Sequence, residues 1–398
     1  MAQVRIRATY MRGGTSKGLF FLASDLPSDP AVRDALLLRA LGSPDPYGTQ
    51  MDGLGGATSS TSKVVLISPS ARPDSDVDYL FGAVSIDKPI VDWSGNCGNL
   101  SGAVGPFAIA AGLVPLAPDA ARTGYTTVRI WQANIGARIL ARVPIRDGEV
   151  LEEGEFRLDG LAFPGAEVRL EFLDPAGTGG EGEEGGSGRL FPTGRPLDRL
   201  AVPGIGELEL SLLVAGIPCV LVEAAALGLR GIELPGELNL DASLLARLEA
   251  IRARATVAMG LASSPEEASS KRLHSPKLVL LSPPQTSPTS EGGQVEGADL
   301  DLVARALSMG KAHHALPGTV AIALAAAAAL PGTLAHRLAR PLGSRVNGEL
   351  LTLGHPSGRM AVGAEVERRE EGWVVTKALM SRSARRLMEG FVLVPGGK

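Results

Sequence analysis

Two segments of this 398-residue chain have helical spacing and almost no polar face, and together they constrain the fold more than any other feature. Asn99–Leu113 is apolar nearly all round, and so is the Ala-rich stretch within Pro317–Leu330. A helix apolar on every side must be enclosed by protein on every side. The longer apolar run, Val320–Leu330, is too short to cross a bilayer, so it reads as a buried helix. The two segments also echo each other. Ser101–Pro115 aligns without gaps on Pro317–Pro331, matching Gly102 to Gly318, Val104 to Val320, Ala110 and Ala111 to Ala326 and Ala327, and Pro115 to Pro331. One such helix in each half points to a duplicated architecture, each copy wrapping a mostly antiparallel sheet around its own helix.

The remainder supplies those sheets. Gln3–Thr9, Leu19–Leu22, Lys63–Ser68, Val77–Val84, Thr127–Gln132, Arg138–Pro144 and Ala166–Phe172 read as strands, rich in Val and Ile with turn-forming borders. Further strands are expected at Gly206–Val214, Cys219–Glu223, Val279–Leu281, Met360–Glu367, Trp373–Leu379 and Phe391–Val394. Helices are expected at Pro30–Leu41 behind Asp29, at Ala242–Met259 behind Asp241 and at Leu300–Leu307. Aromatic residues make up only 4% of the chain, so the core is aliphatic. The class is α/β, with an N-terminal lobe over 1–188 and a C-terminal lobe over 189–398. The boundary falls at a Gly/Glu-rich loop, Gly177–Gly188, whose composition cannot pack. Ser282–Gly297 reads as a second exposed loop.

A net charge of −4, without a basic run, argues against nucleic acid as a partner. The first residues alternate like a strand and not like a signal peptide, and no segment reads as membrane-spanning. The two cysteines differ in setting: Cys219 lies in an apolar strand, Cys97 among Gly and Asn. A reduced, cytoplasmic protein is expected. Oligomeric state is open, a homodimer being one arrangement compatible with the sequence.

Three segments are dense in Gly, Ser, Thr and Asn: Met11–Gly18, Asp52–Lys63 and Trp93–Gly102. Such segments are either plain turns or anion cradles, in which small residues let N–H groups and hydroxyls approach a carboxylate. Candidate substrate contacts are therefore Arg12, Gly13, Gly14, Thr15 and Ser16 in the first segment, Ser60 and Ser62 in the second, and Asn96, Gly98 and Asn99 in the third. Cys97 leads directly into the first apolar helix, where unpartnered N–H groups and the helix dipole favour a thiolate. Lys63 opens the apolar run VVLI; it is either a solvated edge charge or a partly desolvated amine able to act as a base. In the second half Ser308, Met309, Gly310 and Lys311 precede the matching helix, and Ser357 and Gly358 lie in a Gly/Pro turn before a strand. Arg12, Lys311, Arg272 and Arg359 are candidate carboxylate partners.

Cofactor motifs fail. GGTSKG lacks the Gly-Lys-Ser/Thr order of a phosphate loop. Gly-x-Gly-x-x-Gly occurs only in the Gly/Glu-rich loop, and Gly14–Gly18 spells Gly-x-Ser-x-Gly before a strand where a nucleophile elbow needs a helix. The five histidines, His274, His313, His314, His336 and His355, show no metal-ligand spacing. No metal and no cofactor is expected.

The segments ATYMRGGTSKGLFF, GSPDPYGTQMDGLGGATSSTSKVVL, VDYLFGAVSIDKPIVDWSGNCGNLSGAVGPFAI, VRIWQANIG, ALSMGKAHHA, GHPSGRM and MSRSARRLMEG resemble the 2-methylaconitate cis-trans isomerase (PrpF) family, from about Ala8 to Val394. The resemblance implies a diaminopimelate epimerase-like fold of two similar lobes with the active site between them. It implies a cofactor-independent isomerase of an unsaturated tricarboxylic acid, foremost 2-methylaconitate in propionate breakdown by the 2-methylcitrate cycle. The alternatives are 4-oxalomesaconate tautomerase or a related allylic isomerase and, from a different class, a non-catalytic carboxylate-binding protein. The family's catalytic lysine and cysteine fall on Lys63 and Cys97. Amino-acid epimerases of the same fold resemble a two-thiol design. Here Ser308-Met309-Gly310-Lys311 holds no thiol, and Cys219 matches no such motif.

Overall fold

The computed structural model describes residues 3–93, 95–116, 123–176, 189–273, 275–340, 348–370 and 372–395. The segment Gly177–Gly188 and His274 lie outside them. The chain forms two compact units, one of Met1–Glu171 with Ser381–Lys398, the other of Phe172–Met380.

In the first unit the elements run β1 (Gln3–Gly13), β2 (Ser16–Leu22), α1 (Pro30–Leu41), β3 (Lys63–Pro69), β4 (Val77–Val84), β5 (Val91–Asp92), α2 (Gly98–Ala110), β6 (Thr123–Gln132), β7 (Ala137–Arg146), β8 (Glu149–Val150) and β9 (Glu167–Leu173). Asp29 caps α1 by accepting from the N–H groups of Ala31 and Val32. The sheet follows β1–β2 antiparallel, β2–β3 parallel, β3–β4 antiparallel, β4–β6 parallel and β6–β7 antiparallel. Strand β7 pairs β9, and the last strand of the chain, Gly372–Pro395, pairs both β9 and β1. The pairings thus close into a ring. α2 fills the interior: from Leu100 to Ile109 every residue is buried. A closed sheet leaves no edge to protect, and its interior has to be apolar, which is why this helix has no polar face.

The second unit runs β10 (Asp198–Val202), β11 (Gly206–Ala215), β12 (Ile217–Glu223), α3 (Pro235–Leu240), α4 (Ala242–Ala258), α5 (Pro265–Lys271), β13 (Lys277–Ser282), β14 (Ser287–Pro288), β15 (Gln294–Val295), β16 (Leu302–Ser308), β17 (Lys311–Ala312), α6 (Gly318–Ala329), α7 (Leu334–Leu338), β18 (Leu351–His355), β19 (Gly358–Arg369) and β20 (Gly372–Pro395). The first unit's pairing pattern recurs: β11–β12 antiparallel, β12–β13 parallel, β13–β16 antiparallel, β16–β18 parallel and β18–β19 antiparallel. α6 occupies the place of α2 and is buried from Gly318 to Ala328. Two cores flank this sheet. Leu213, Leu221, Val279 and Leu281 face α6, whereas Leu212, Val220, Val222, Leu278 and Leu280 pack with Leu244, Leu248 and Ile251 of α4. Burial on both faces explains why these strands read as unbroken apolar runs.

Three expectations are corrected. The segment Leu300–Leu307, expected as a helix, falls largely in strand β16, Leu302–Ser308. Its Leu, Ala and Arg residues favour a helix locally, but a short run apolar on both faces carries no period to separate the two states, and pairing with β13 and β18 decides it. Ser282–Gly297 is not wholly exposed loop: β14 pairs β15, and Ser287 is buried. The tail expected as two separate strands is one strand of 24 residues, β20.

Candidate active site

The site is built at one end of the first unit, where a hairpin turn, a strand start and a helix N-terminus meet. The β1–β2 hairpin turns through Gly14 and Thr15, with Gly13 opposite Ser16. Gly14 has φ +50°, a left-handed conformation that glycine adopts without strain. A Cβ there would lie 2.5 Å from Asn99 Oδ1, and one on Gly18 would lie 2.6 Å from the Lys63 carbonyl oxygen. These glycines are required because α2 and β3 approach the hairpin closely. Two of the hairpin N–H groups are already committed to backbone: Gly14 donates to Ser383 O at 2.9 Å, and Lys17 to Ser60 O at 3.0 Å.

Lys63 is fixed by the turn before it. Thr61 and Ser62 both donate backbone N–H to Thr58 O. The buried Ser62 hydroxyl donates to Val84 O at 2.9 Å and accepts from Gln50 Nε2 at 2.7 Å. Cys97 is the N-cap residue of α2. Its carbonyl accepts the first helical hydrogen bond, from Ser101 N–H, and also the Ser101 hydroxyl at 3.0 Å. The N–H groups of Gly98, Asn99 and Leu100 therefore have no helical acceptor. Asn134 anchors the approach to Cys97 by donating to Trp93 O and Phe81 O and accepting from Phe81 N–H.

These elements bring Lys63 Nζ to 3.2 Å from Cys97 Sγ and 3.2 Å from Ser16 Oγ. Lys63 Nζ also lies 5.6 Å from the centre of the Phe81 ring. Cys97 is 7% exposed and Ser16 3% exposed, while Lys63 is half-buried. Asn99 Nδ2 donates to Thr15 Oγ1 at 3.1 Å and to Ser16 Oγ at 3.4 Å, and Asn99 Oδ1 accepts from Arg382 Nε at 3.0 Å. Arg382 is 1% exposed. Burial brings its guanidinium down to about 10, with Cys97 beside it working in the opposite direction, so it stays cationic at neutral pH. Tyr79, fully buried, is pushed well up by burial and then by its nearness to Cys97, and stays a neutral phenol.

Of the residues read from sequence, Lys63, Cys97, Ser16, Thr15, Asn99, Gly13, Gly14 and Gly98 come together here. Arg12 turns to the backbone, donating to Gly14 O and Ser383 O. Ser62 is committed as described, and Asn96 Oδ1 meets the Ser101 hydroxyl at 3.4 Å. Ser60 accepts from Lys17 through its carbonyl. Within the second unit Met309 and Gly310 form the β16–β17 turn with φ of +54° and +74°. Ser308 there accepts from the buried Lys277 at 2.6 Å, Lys311 is exposed, and Ser357 lies in the β18–β19 turn with its hydroxyl on His314 O, while Gly358 opens β19 opposite His355. Sequence reasoning missed Arg382, Tyr79 and Asn134. No local signal marks Arg382, because Arg382, Ser383 and Ala384 are buried in succession and show no alternation.

Chemically, an amine and a thiol in contact can exchange a proton, and the N-terminus of α2 beside them favours negative charge. Among the described residues no group of three or more His, Cys, Asp or Glu side chains is placed to hold a metal ion. Among them, too, no helix is long and apolar enough to cross a membrane.

Residues 3–395 match the family described as PrpF protein. The chain is 54% identical over 400 residues to the 2-methyl-aconitate isomerase of Shewanella oneidensis, covering 99% of this chain and 98% of that one. A crystal structure of methylitaconate-delta-isomerase is similar with a TM-score of 0.82 and 36% identity, over 99% of this chain and 96% of the other. A probable proline racemase from Agrobacterium radiobacter K84 shares the fold alone, with a TM-score of 0.52 and 15% identity over 97% and 92% of the two chains. The architecture is thus the diaminopimelate epimerase-like α/β fold, and the chain is a member of the PrpF protein family.

Proposed function

We propose that this protein is a cofactor-independent isomerase of unsaturated tricarboxylic acids, with 2-methylaconitate as substrate, acting in the cytoplasm in propionate breakdown through the 2-methylcitrate cycle. The contact of Lys63 Nζ with Cys97 Sγ at 3.2 Å, at the N-terminus of α2, carries the reading. The 54% identity to a 2-methyl-aconitate isomerase favours that substrate over 4-oxalomesaconate.

The substrate carries a C–H bond activated by a neighbouring C=C bond and carboxylate. Lys63, as the free amine, takes that proton and becomes an ammonium, leaving a dienolate-like anion. Rotation about the former double bond follows. Cys97 then returns a proton to carbon and becomes a thiolate, and the ammonium resets it across the 3.2 Å contact. Protons balance over the cycle and nothing is oxidised or reduced. Making the anion is the costly step. The N-terminus of α2 offsets roughly 0.3–1 kcal/mol of it, or ~2 where partly buried. Each hydrogen bond to a charged oxygen contributes about 1.5–3 kcal/mol more, so several donors must act together. Ser16, Thr15 and the N–H groups of Gly98 and Asn99 are the donors assigned here.

The test is a panel of 2-methylaconitate isomers, aconitate isomers and 4-oxalomesaconate, followed by proton NMR. Interconversion of the 2-methylaconitate isomers at the highest kcat/KM is expected. Preferred turnover of 4-oxalomesaconate would replace the substrate, and turnover of none would leave a carboxylate-binding protein.

A further inference from the structure

The role of Arg382 follows from the donor and acceptor inventory of its neighbours. A guanidinium donates five hydrogen bonds and accepts none. The Asn99 atom facing Arg382 Nε must therefore be the carbonyl oxygen, and the amide nitrogen must face the hairpin, where it reaches Thr15 Oγ1 and Ser16 Oγ. Both hydroxyl oxygens then act as acceptors. Ser16 Oγ also receives Lys63 Nζ, so both of its lone pairs are engaged. The free amine of Lys63 donates N–H to Ser16 and turns its lone pair to the substrate C–H, so one group on Ser16 is left with no acceptor in this cluster: its own proton.

We propose that Arg382 is a positioning residue acting through Asn99, fixing the amide so that the Ser16 hydroxyl can only donate, and that this proton is given to a substrate carboxylate. The inference deepens the function proposed above and rests on it. With the arginine side chain gone, nothing prevents the Asn99 amide from rotating by half a turn. Its oxygen would then take the Ser16 proton and withdraw it from the ligand. The packing keeps the arginine in place. Its stem runs between the hairpin turn and α2, where a Cβ on Gly14 would lie 2.9 Å from Arg382 Cδ and one on Gly102 would lie 2.9 Å from Arg382 Cβ. Arg382 Nη1 also donates to Ser381 O at 2.7 Å. Because the group stays cationic at neutral pH, its donor role does not lapse in the working range.

A double-mutant cycle over R382M and N99A tests this, read as kcat and KM for the turned-over acid and, independently of turnover, as calorimetric affinity for the saturated tricarboxylate tricarballylate. Each single variant is expected to weaken tricarballylate binding and raise KM by roughly 10- to 100-fold, the range set by one hydrogen bond to a charged group. The double variant is expected to be no worse than R382M, and R382K to recover most of the affinity because an ammonium still donates to Asn99 Oδ1. A folded double variant in which the two losses multiply, or an R382K variant as weak as R382M, overturns the proposal. R382K also serves if R382M fails to fold. If wild type turns over no acid in the panel, the functional reading fails while the affinities still decide this one. A wild type that binds no tricarballylate overturns it.

Discussion

Replacing Gly14 with alanine should damage stability and turnover together, and the structure gives the size of both effects. At φ +50° an added Cβ costs about 1 kcal/mol of backbone strain before any contact is considered. The Cβ would also sit 2.5 Å from Asn99 Oδ1 and 2.9 Å from Arg382 Cδ, so one of them must move. Moving Asn99 breaks its bond from Arg382 Nε, a charge-assisted hydrogen bond whose loss costs roughly 1.5–3 kcal/mol. The expected destabilisation is then the sum, about 2.5–4 kcal/mol. Displacement of the Ser16 donor by a few tenths of an ångström to 1 Å should lower kcat/KM by ~10²-fold. Gly112→Ala at the far end of α2 is the control. It has φ +73° and nothing within 4 Å of the added Cβ, so it carries the strain of about 1 kcal/mol alone and leaves turnover unchanged. Urea unfolding and steady-state isomerisation measure the two quantities. The argument fails if Gly14→Ala loses no more stability than Gly112→Ala and keeps wild-type kcat/KM.

Burial pushes the Cys219 thiol up to about 12, so it stays a neutral, enclosed thiol across the working pH range. Iodoacetamide on the native protein should therefore label Cys97 and spare Cys219, as peptide mass spectrometry would show; comparable labelling of both contradicts the burial argument. Asp29→Ala should cost ~0.5–2 kcal/mol by removing the cap of α1, with kcat/KM unaffected. Burial raises the Glu249 carboxyl, but hydrogen bonds from Arg252 and Ser269 outweigh it and hold the group below its ordinary 4.5. A depressed carboxyl stabilises the fold above that pH and loses its contribution as pH falls through the native value. Glu249→Gln should accordingly lose less stability than wild type between pH 5 and pH 3 in urea titrations; an identical pH slope would refute the assignment.

The two enclosed helices, α2 and α6, were legible because a helix without a polar face allows one environment only, and both occupy it. Lys63 and Cys97 were legible as a strand start and a helix cap, positions read from local pattern. Arg382 was not, because its partner Asn99 lies 283 residues away and a buried arginine in a strand resembles an exposed one in sequence. The glycines of Met11–Gly18 were read as a cradle for an anion. Their missing side chains make room first for Asn99, Arg382 and the backbone of Lys63, a packing reason that no single sequence displays. β16 was misread because local propensity and long-range pairing disagreed, and pairing won.

The central claim, that an amine and a thiol in contact move a substrate proton, is tested most directly by washing solvent deuterium into 2-methylaconitate, followed by proton NMR. Wild type should exchange the activated hydrogen, and folded Lys63→Met should do so at least ~10²-fold more slowly, the lower bound for losing a general base. Exchange by folded Lys63→Met at the wild-type rate would contradict it.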